Sequence, residues 1–214
     1  LGVRLSLFDG APFQEDPETR RPGLKGVGWP VPCPAPYLWG FGTSEADPAV
    51  PDPAEPIELV GLLKGKGVGM ISVTAGSPYF SPHVLRPTET PPVDAYQPPR
   101  DPLFEVAVHF DLAGAVKRAH PGVSVLGAGY SYLRRFKAHA AEFNISKGRA
   151  DAAGLGRALL AYPDEIRRIL EEGEARLGRG RVVCTGNSAC TTGPRLGMKS
   201  GCIYDPHYLS LIHI

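Results

Sequence analysis

The sequence lacks the usual marks of a membrane or secreted protein. Its 214 residues contain no apolar run approaching the roughly 18 residues that a transmembrane helix needs. No charged segment followed by an apolar one opens the chain, as it would in a signal peptide. Four cysteines at uneven spacing are too few for the disulfide framework of a small secreted scaffold. We therefore expect a cytoplasmic protein with no membrane contact.

An excess of charge of either sign is also absent. The chain has 23 Lys and Arg residues and 22 Asp and Glu residues, a net charge of +1, so no overall field attracts nucleic acid. Any site for an anion must be local. We expect a small-molecule substrate and no nucleic-acid partner.

The two ends of the sequence are unlike those of a complete protein. It opens on "LGVRLS", which alternates like a buried strand and has no initiator Met, so we expect the true start to lie upstream. Residues 209–214, "LSLIHI", resemble the translation of a sequencing adapter, and we interpret them as an artefact.

Strands and helices alternate along the rest of the chain. Two segments rich in Pro and Gly, 9–56 and 78–100, are predicted to be long loops. Asp101 and Pro102 are predicted as the N-cap and first residue of a helix. In chain order we predict a strand at the start, a helix at 56–69, a strand at 69–77, a helix at 101–120, a strand at 122–129, a helix at 130–148, a strand at 149–156 and an amphipathic helix at 162–178 with Ile166, Ile169, Leu170 and Leu177 on one face.

This alternation predicts βαβ units and a parallel sheet. About four βα units equal half of a (β/α)₈ TIM barrel. A doubly wound sheet of four units is the structural alternative, and periodicity does not separate the two. In both folds the ligand lies beyond the carboxyl ends of the strands.

Glycines and one arginine follow two neighbouring strands of this predicted sheet. Gly127 and Gly129 follow the third strand, and Gly156 and Arg157 follow the fourth. Glycine lets backbone N–H groups approach an anion, and a guanidinium offers paired donors to phosphate oxygens. We interpret the pattern as a phosphate site; glycines that merely end strands beside a solvated Arg157 are the structural alternative.

Several segments together resemble the carboxyl-terminal half of the NADH:flavin oxidoreductase, or Old Yellow Enzyme, family. They are "GVRLS", "VTAGSPYFSPHVLRP", "GAGYSYL", "ADAAGLGRALLAYPD" and "CTGNSACTTGPRLGMKSGC". The similarity covers most of residues 1–8 and 57–208, and it is weakest in the insertion at 9–56. It implies that residues 1–208 are the second half of a TIM barrel that holds FMN.

The resemblance also implies roles for individual residues. Arg4 would lie near the pyrimidine side of the flavin, Gly127 and Gly129 would offer amides to the phosphate, and Gly156 and Arg157 would complete the phosphate site. In this family NADH or NADPH reduces FMN, which passes hydride to an activated alkene.

The histidine pair that holds the alkene's carbonyl group in this family is expected upstream, so we assign no catalytic residue. His109, His120 and His139 are expected to be solvated or satisfied structural residues. Tyr79, His83 and Arg86 are predicted to line the substrate or nicotinamide entrance, with a rigid proline-braced loop as the structural alternative.

The cysteines near the end of the chain depart from a pattern found in some relatives. Those relatives bind a [4Fe–4S] cluster through C-x₂-C-x₃-C-x₁₁-C. Cys190 and Cys202 keep the last spacing, but only Cys184 precedes them, and Gly186 occupies the place of the second ligand. Because a cubane needs four thiolates and Cys33 is distant, we expect no cluster. A structural zinc site and unligated thiols remain the alternatives.

Two other hypotheses stay open. The same phosphate site would suit an isomerase or aldolase, although the predicted strand ends offer no acid and base pair. As half a barrel, the chain would expose sheet edges. We then expect it to misfold, aggregate or form a homo-oligomer, and not to hold FMN tightly.

Overall fold

Four parallel strands lie side by side in chain order at the centre of the fold. The computed structural model describes residues 1–172, 183–205 and 208. The sheet order is β1-β4-β5-β6. Its strands are β1 (Gly2–Ser6), β4 (Met70–Thr74), β5 (Ser124–Gly127) and β6 (Ala152–Ala153). The predicted α/β class with a parallel sheet is confirmed, and a four-stranded sheet in this order is compatible with half of a TIM barrel.

The two faces of the sheet differ in character because side chains alternate along each strand. Ile71, Val73 and Val125 point to one face and are fully buried, or nearly so. Arg4, paired in register with Ser72, belongs to the opposite set of positions, which is more exposed. One face of the sheet therefore carries the apolar core, and the other carries polar side chains.

Helices cover the apolar face. α1 (Ala54–Gly65) and α3 (Pro102–Ala119) pack against each other, and α3 lies on β4 and β5. The core between these layers includes Val60, Leu112 and Val116. The predicted start of α3 is confirmed, because the Asp101 side chain accepts a hydrogen bond from the N–H of Leu103 at 2.9 Å.

The segment after β5 differs from the single helix predicted for 130–148. Tyr130–Phe136 form a 3₁₀ helix, and α4 covers only Lys137–Ser146. The break lies at Arg134, whose φ of 54° and ψ of −120° do not belong to a helix. The prediction is right for the second half of the segment and wrong for the first.

Both predicted loops contain short regular elements. In 9–56, β2 (Phe13–Glu15) and β3 (Gly28–Pro30) form a separate antiparallel pair, and Pro17–Thr19 form a 3₁₀ turn. In 78–100, α2 (Pro82–Leu85) forms one helical turn, contrary to the fully extended loop predicted. Pro82 occupies the first turn, where a missing backbone N–H costs nothing.

Three helices complete the described part of the chain. α5 (Arg157–Ala161) follows β6, and α6 (Glu165–Glu172) confirms the amphipathic helix as far as Glu172. Leu177 and residues 209–214 lie outside the described residues. α7 (Ala189–Arg195) lies in the cysteine-rich segment, where no helix was predicted. Among the described helices none is long and apolar enough to cross a bilayer.

Candidate functional site

The four parallel strands end at one edge of the sheet, and the predicted cofactor residues lie along that edge. Arg4 lies on β1, Gly127 ends β5, and Gly156 and Arg157 follow β6. Three strand spacings of about 4.8 Å separate β1 from β6, or roughly 14 Å. An elongated ligand lying across the strand ends would therefore reach from Arg4 to Arg157.

The loop after β5 requires glycine at Gly129. Its φ of +92° is left-handed, and a Cβ there would lie 3.3 Å from the Cβ of His109. Gly127 is also closely packed, since a Cβ would lie 3.3 Å from the Tyr130 hydroxyl. The carbonyl of Gly127 accepts a hydrogen bond from the N–H of Gly154 at 2.7 Å. These contacts hold the loops after β5 and β6 together.

Ser131 joins the same two loops and was not predicted as a site residue. Its Oγ accepts hydrogen bonds from the N–H groups of Gly156 at 3.2 Å and of Ala158 at 3.4 Å. It therefore caps the start of α5 and fixes the backbone that precedes Arg157. The serine after "GAGY" is the only sequence signal for this contact.

The space beside Gly156 is open. Its φ of −104° is accessible to any residue, and a Cβ built there would meet no described atom within 4 Å. Protein packing among the described residues does not require glycine at this position. A ligand that approaches the backbone closely is a physical reason for the absence of a side chain.

Arg157 is half-buried beside a second arginine. Its Nη1 donates to the carbonyl oxygen of Pro87 at 2.9 Å. Burial lowers the pKa of the Arg157 guanidinium, and the positive charge of Arg86 lowers it further. Within the described residues no carboxylate pairs with Arg157 or Arg86. Two neighbouring cations without a counter-charge form a site that attracts an anion.

Three cysteines lie against these arginines. Cys184, Cys190 and Cys202 line a small cavity of about 30 Å³ together with Arg86 and Arg157. Cys33 lies in another loop, where its Sγ donates to the carbonyl of Val31 at 3.2 Å. Across the described ranges, no group of three or more His, Cys, Asp or Glu side chains is arranged to hold a metal ion.

Arg4 faces a separate, wide cavity of about 430 Å³ at the ends of β1 and β4. Ser6 and Thr74 provide its polar lining, and Gly76 and Arg86 lie at its edge. Gly76 is left-handed, with φ of +78°, and packs against Val84 and Leu85. Arg4 therefore lies at one side of this edge of the sheet and Arg157 at the other, with Arg86 between them.

The three predicted substrate residues line one large cavity. Tyr79, His83 and Arg86 belong to a cleft of about 750 Å³ between the β2 segment, the proline-rich loop and α7. The structure adds Tyr96, whose hydroxyl lies 2.7 Å from the Nδ1 of His83. No local sequence pattern indicates this pair, because it forms between α2 and a loop residue 13 positions further along the chain.

His120 and His109 have structural contacts. His120 Nε2 lies 2.9 Å from the carbonyl oxygen of Ile57 and joins α3 to α1. His109 is buried, with Nε2 2.9 Å from the carbonyl oxygen of Val84, while its Nδ1 has no partner among the described residues. Burial lowers the pKa of His109, which favours the neutral ring.

A comparison of the chain with protein-family models finds no match, and a comparison with curated proteins finds none either.

Proposed function

We propose that this chain forms half of a (β/α)₈ barrel in a cytoplasmic, FMN-dependent oxidoreductase that uses NADH or NADPH and a small-molecule acceptor. The strand order supports the barrel, because a doubly wound sheet reverses its order at a switch point. The four strands here follow one another without such a reversal. Helices that cover one face of the sheet agree with the outer layer of a barrel.

The single observation that carries the cofactor proposal is the pair of Arg86 and Arg157, which has no carboxylate partner among the described residues and whose second member follows Gly156. The pair lies at the start of α5, next to open space and next to the glycine loop after β5. Arg157 and the backbone N–H of Gly129 would hold the phosphate group. The N–H of Gly156 already donates to Ser131, so Gly156 would contribute only room for a close approach, and Ser131 keeps the two loops in place. These residues fit a phosphate monoester.

Arg4 would hold the other end of the cofactor. Its guanidinium lies on the polar face of the sheet, where it would stabilise negative charge on a reduced ring. When bound, FMN supplies two-electron hydride chemistry; the described residues bind and orient it. We assign no catalytic residue within these 214 residues.

The test compares FMN with riboflavin, because the two differ only in the phosphate. We expect weak binding of both to the purified chain, with FMN bound at least tenfold more tightly. Charge-assisted hydrogen bonds contribute about 1.5–3 kcal/mol, or roughly 10–100-fold in affinity. Arg157→Gln should remove the preference for FMN. Quenching of flavin fluorescence measures both affinities.

The control is Arg135→Gln, which removes the same charge from an exposed arginine whose guanidinium lies over the Phe136 ring. It should keep the preference for FMN. Equal affinity for FMN and riboflavin in the unaltered chain would contradict the phosphate site. Glycerol phosphate binding as tightly as FMN would instead favour the isomerase or aldolase alternative.

A further inference from the structure

A cleft beside the proposed flavin edge has the size of a small-molecule site. Its volume of about 750 Å³ falls within the range of ligand pockets. Phe13 and Tyr79 supply aromatic walls, and five prolines supply rigid apolar surface. The prolines are Pro78, Pro82, Pro91, Pro92 and Pro98.

A fixed polar pair lies in this apolar lining. His83 is 7% exposed and Tyr96 is 9% exposed, and the Tyr96 hydroxyl lies 2.7 Å from His83 Nδ1. The Phe13 ring packs 4.5 Å from the His83 ring. The Tyr96 ring lies over Gly28, where a Cβ would come within 2.3 Å of it. The pair is therefore held before any ligand arrives.

The contact with Tyr96 favours one tautomer of His83. Burial raises the pKa of Tyr96, so its hydroxyl keeps its hydrogen. The acceptor for that hydrogen among the described residues is His83 Nδ1. Burial lowers the pKa of His83 to about 4, so the ring is neutral at pH 7. Nε2 therefore carries the hydrogen of the neutral ring, and it has no protein partner among the described residues.

Arg86 supplies the uncompensated charge of the cleft. Arg195 is paired with Asp94 at 2.6 Å, and Glu15 is paired with Arg20 at 2.5 Å. Arg86 lines the same cleft and has no acidic partner in the described part of the chain. A donor N–H and a guanidinium with no acidic partner among the described residues thus share a cleft whose lining combines aromatic and proline surface with polar side chains such as Gln14, Thr88 and Thr191.

We propose that this cleft binds a planar aromatic carboxylate, with the carboxylate on Arg86 and His83 Nε2 and the ring between Phe13 and Tyr79. A guanidinium and a second donor match the two oxygens of a carboxylate. The inference deepens the proposed function by naming the chemical class of ligand that binds beside the proposed flavin, and it rests on that function only for the ligand's position beside the flavin. Binding itself needs no flavin.

The test is a calorimetric titration of the flavin-free, full-length chain with 2-naphthoate. We expect saturable binding, at least tenfold weaker binding of 2-naphthylmethanol, and weaker binding of cyclohexanecarboxylate than of benzoate. Arg86→Gln should weaken 2-naphthoate binding at least tenfold and leave 2-naphthylmethanol binding within twofold.

Tyr96→Phe tests the positioning of His83. It keeps the ring over Gly28 but removes the hydroxyl, so His83 can adopt its other tautomer, and we expect a three- to tenfold loss of 2-naphthoate affinity. His120→Gln is the matched control, because His120 lies between α3 and α1, and it should bind normally. Circular dichroism checks that each variant folds.

Absence of saturable binding, or an unchanged 2-naphthoate affinity in Arg86→Gln, overturns the proposal. The comparison of FMN with riboflavin tests the flavin site separately from the binding of 2-naphthoate. Binding of 2-naphthoate by a chain that shows no preference for FMN would support the cleft proposal and contradict the flavin proposal. A preference for FMN without binding of 2-naphthoate would support the flavin proposal and contradict the cleft proposal.

Discussion

A buried ion pair between α4 and α6 gives a prediction whose size follows from the structure. Lys137 Nζ contacts the carboxylate of Glu165, and the two side chains are 2% and 6% exposed. The same Nζ donates to the carbonyl oxygen of Arg134 at 2.8 Å, at the break between the 3₁₀ helix and α4. Lys137 therefore satisfies a buried carboxylate and a carbonyl at an unusual backbone position.

Replacing one partner leaves the other charge buried without compensation. We expect Lys137→Met to lower the free energy of unfolding by about 3–5 kcal/mol. The double variant Lys137→Met/Glu165→Leu replaces the pair with apolar groups, so it should lose less than Lys137→Met alone. Its remaining loss should be about 1–3 kcal/mol, the cost of an unsatisfied Arg134 carbonyl.

Urea unfolding followed by circular dichroism measures these free energies. The control is Arg167→Gln, which breaks the exposed pair with Asp164 on the same helix at 2.9 Å. Exposed pairs contribute about 0–1 kcal/mol, so this change should have a small effect. A loss below about 1 kcal/mol in Lys137→Met, or additive losses in the double variant, would refute the reasoning.

Two further predictions concern the cofactor loop and the cleft. Gly129→Ala should lower the free energy of unfolding in urea by about 1–2 kcal/mol, because the φ of Gly129 is +92° and His109 lies close. Gly156→Ala should change it by less than about 0.5 kcal/mol. Equal losses in the two variants would contradict the different roles of these glycines. Because the pKa of His83 is about 4 in the folded chain and 6.5 for an unperturbed histidine, the unfolded chain takes up its proton first as the pH falls. The contribution of His83 to the free energy of unfolding should be complete above pH 6.5 and decline by up to about 3 kcal/mol down to pH 4. His83→Gln should remove that decline, although Glu105, Arg100 and Tyr96 remain. An unchanged pH profile in this variant would exclude His83 as the source of the decline.

Local sequence signals predicted the elements whose causes are local. Asp101 caps α3, β-branched residues form β4, and Gly148, with φ of +64°, follows the end of α4. Capping, strand propensity and left-handed glycine each depend on a few neighbouring residues. The parallel sheet followed from the same alternation, whereas the order of its strands did not, because a barrel and a doubly wound sheet share that alternation.

Contacts between distant segments were not predictable in this way. Tyr96 meets His83 because the loop that carries it pairs with β3, where the N–H of Gly28 donates to the carbonyl of Gln97 at 2.8 Å. The partners Lys137 and Glu165 lie on separate helices, so no periodicity relates them. The kink at Arg134 depends on its φ of 54°, which local propensity disfavours for arginine.

The strand ends of the candidate site were predictable in position but not in contacts. Glycines after β5 and β6 marked the edge where a ligand would lie. The sequence did not indicate that Ser131 holds the two loops together, nor that Arg86 lies beside Arg157 without an acidic partner among the described residues. The position of Arg86 depends on how the proline-rich loop folds over the strand ends, and the contacts of Ser131 join segments 25 residues or more apart in the chain.

The position of Arg86 links the cavities at this end of the molecule. It lines the small cavity with Arg157, the wide cavity with Arg4 and the large cleft with His83. An anion in any one of them changes the electrostatic potential that the other two experience through this guanidinium. Ligands in these cavities are therefore thermodynamically coupled, and the change that one causes in the affinity of another equals the change in the reverse direction.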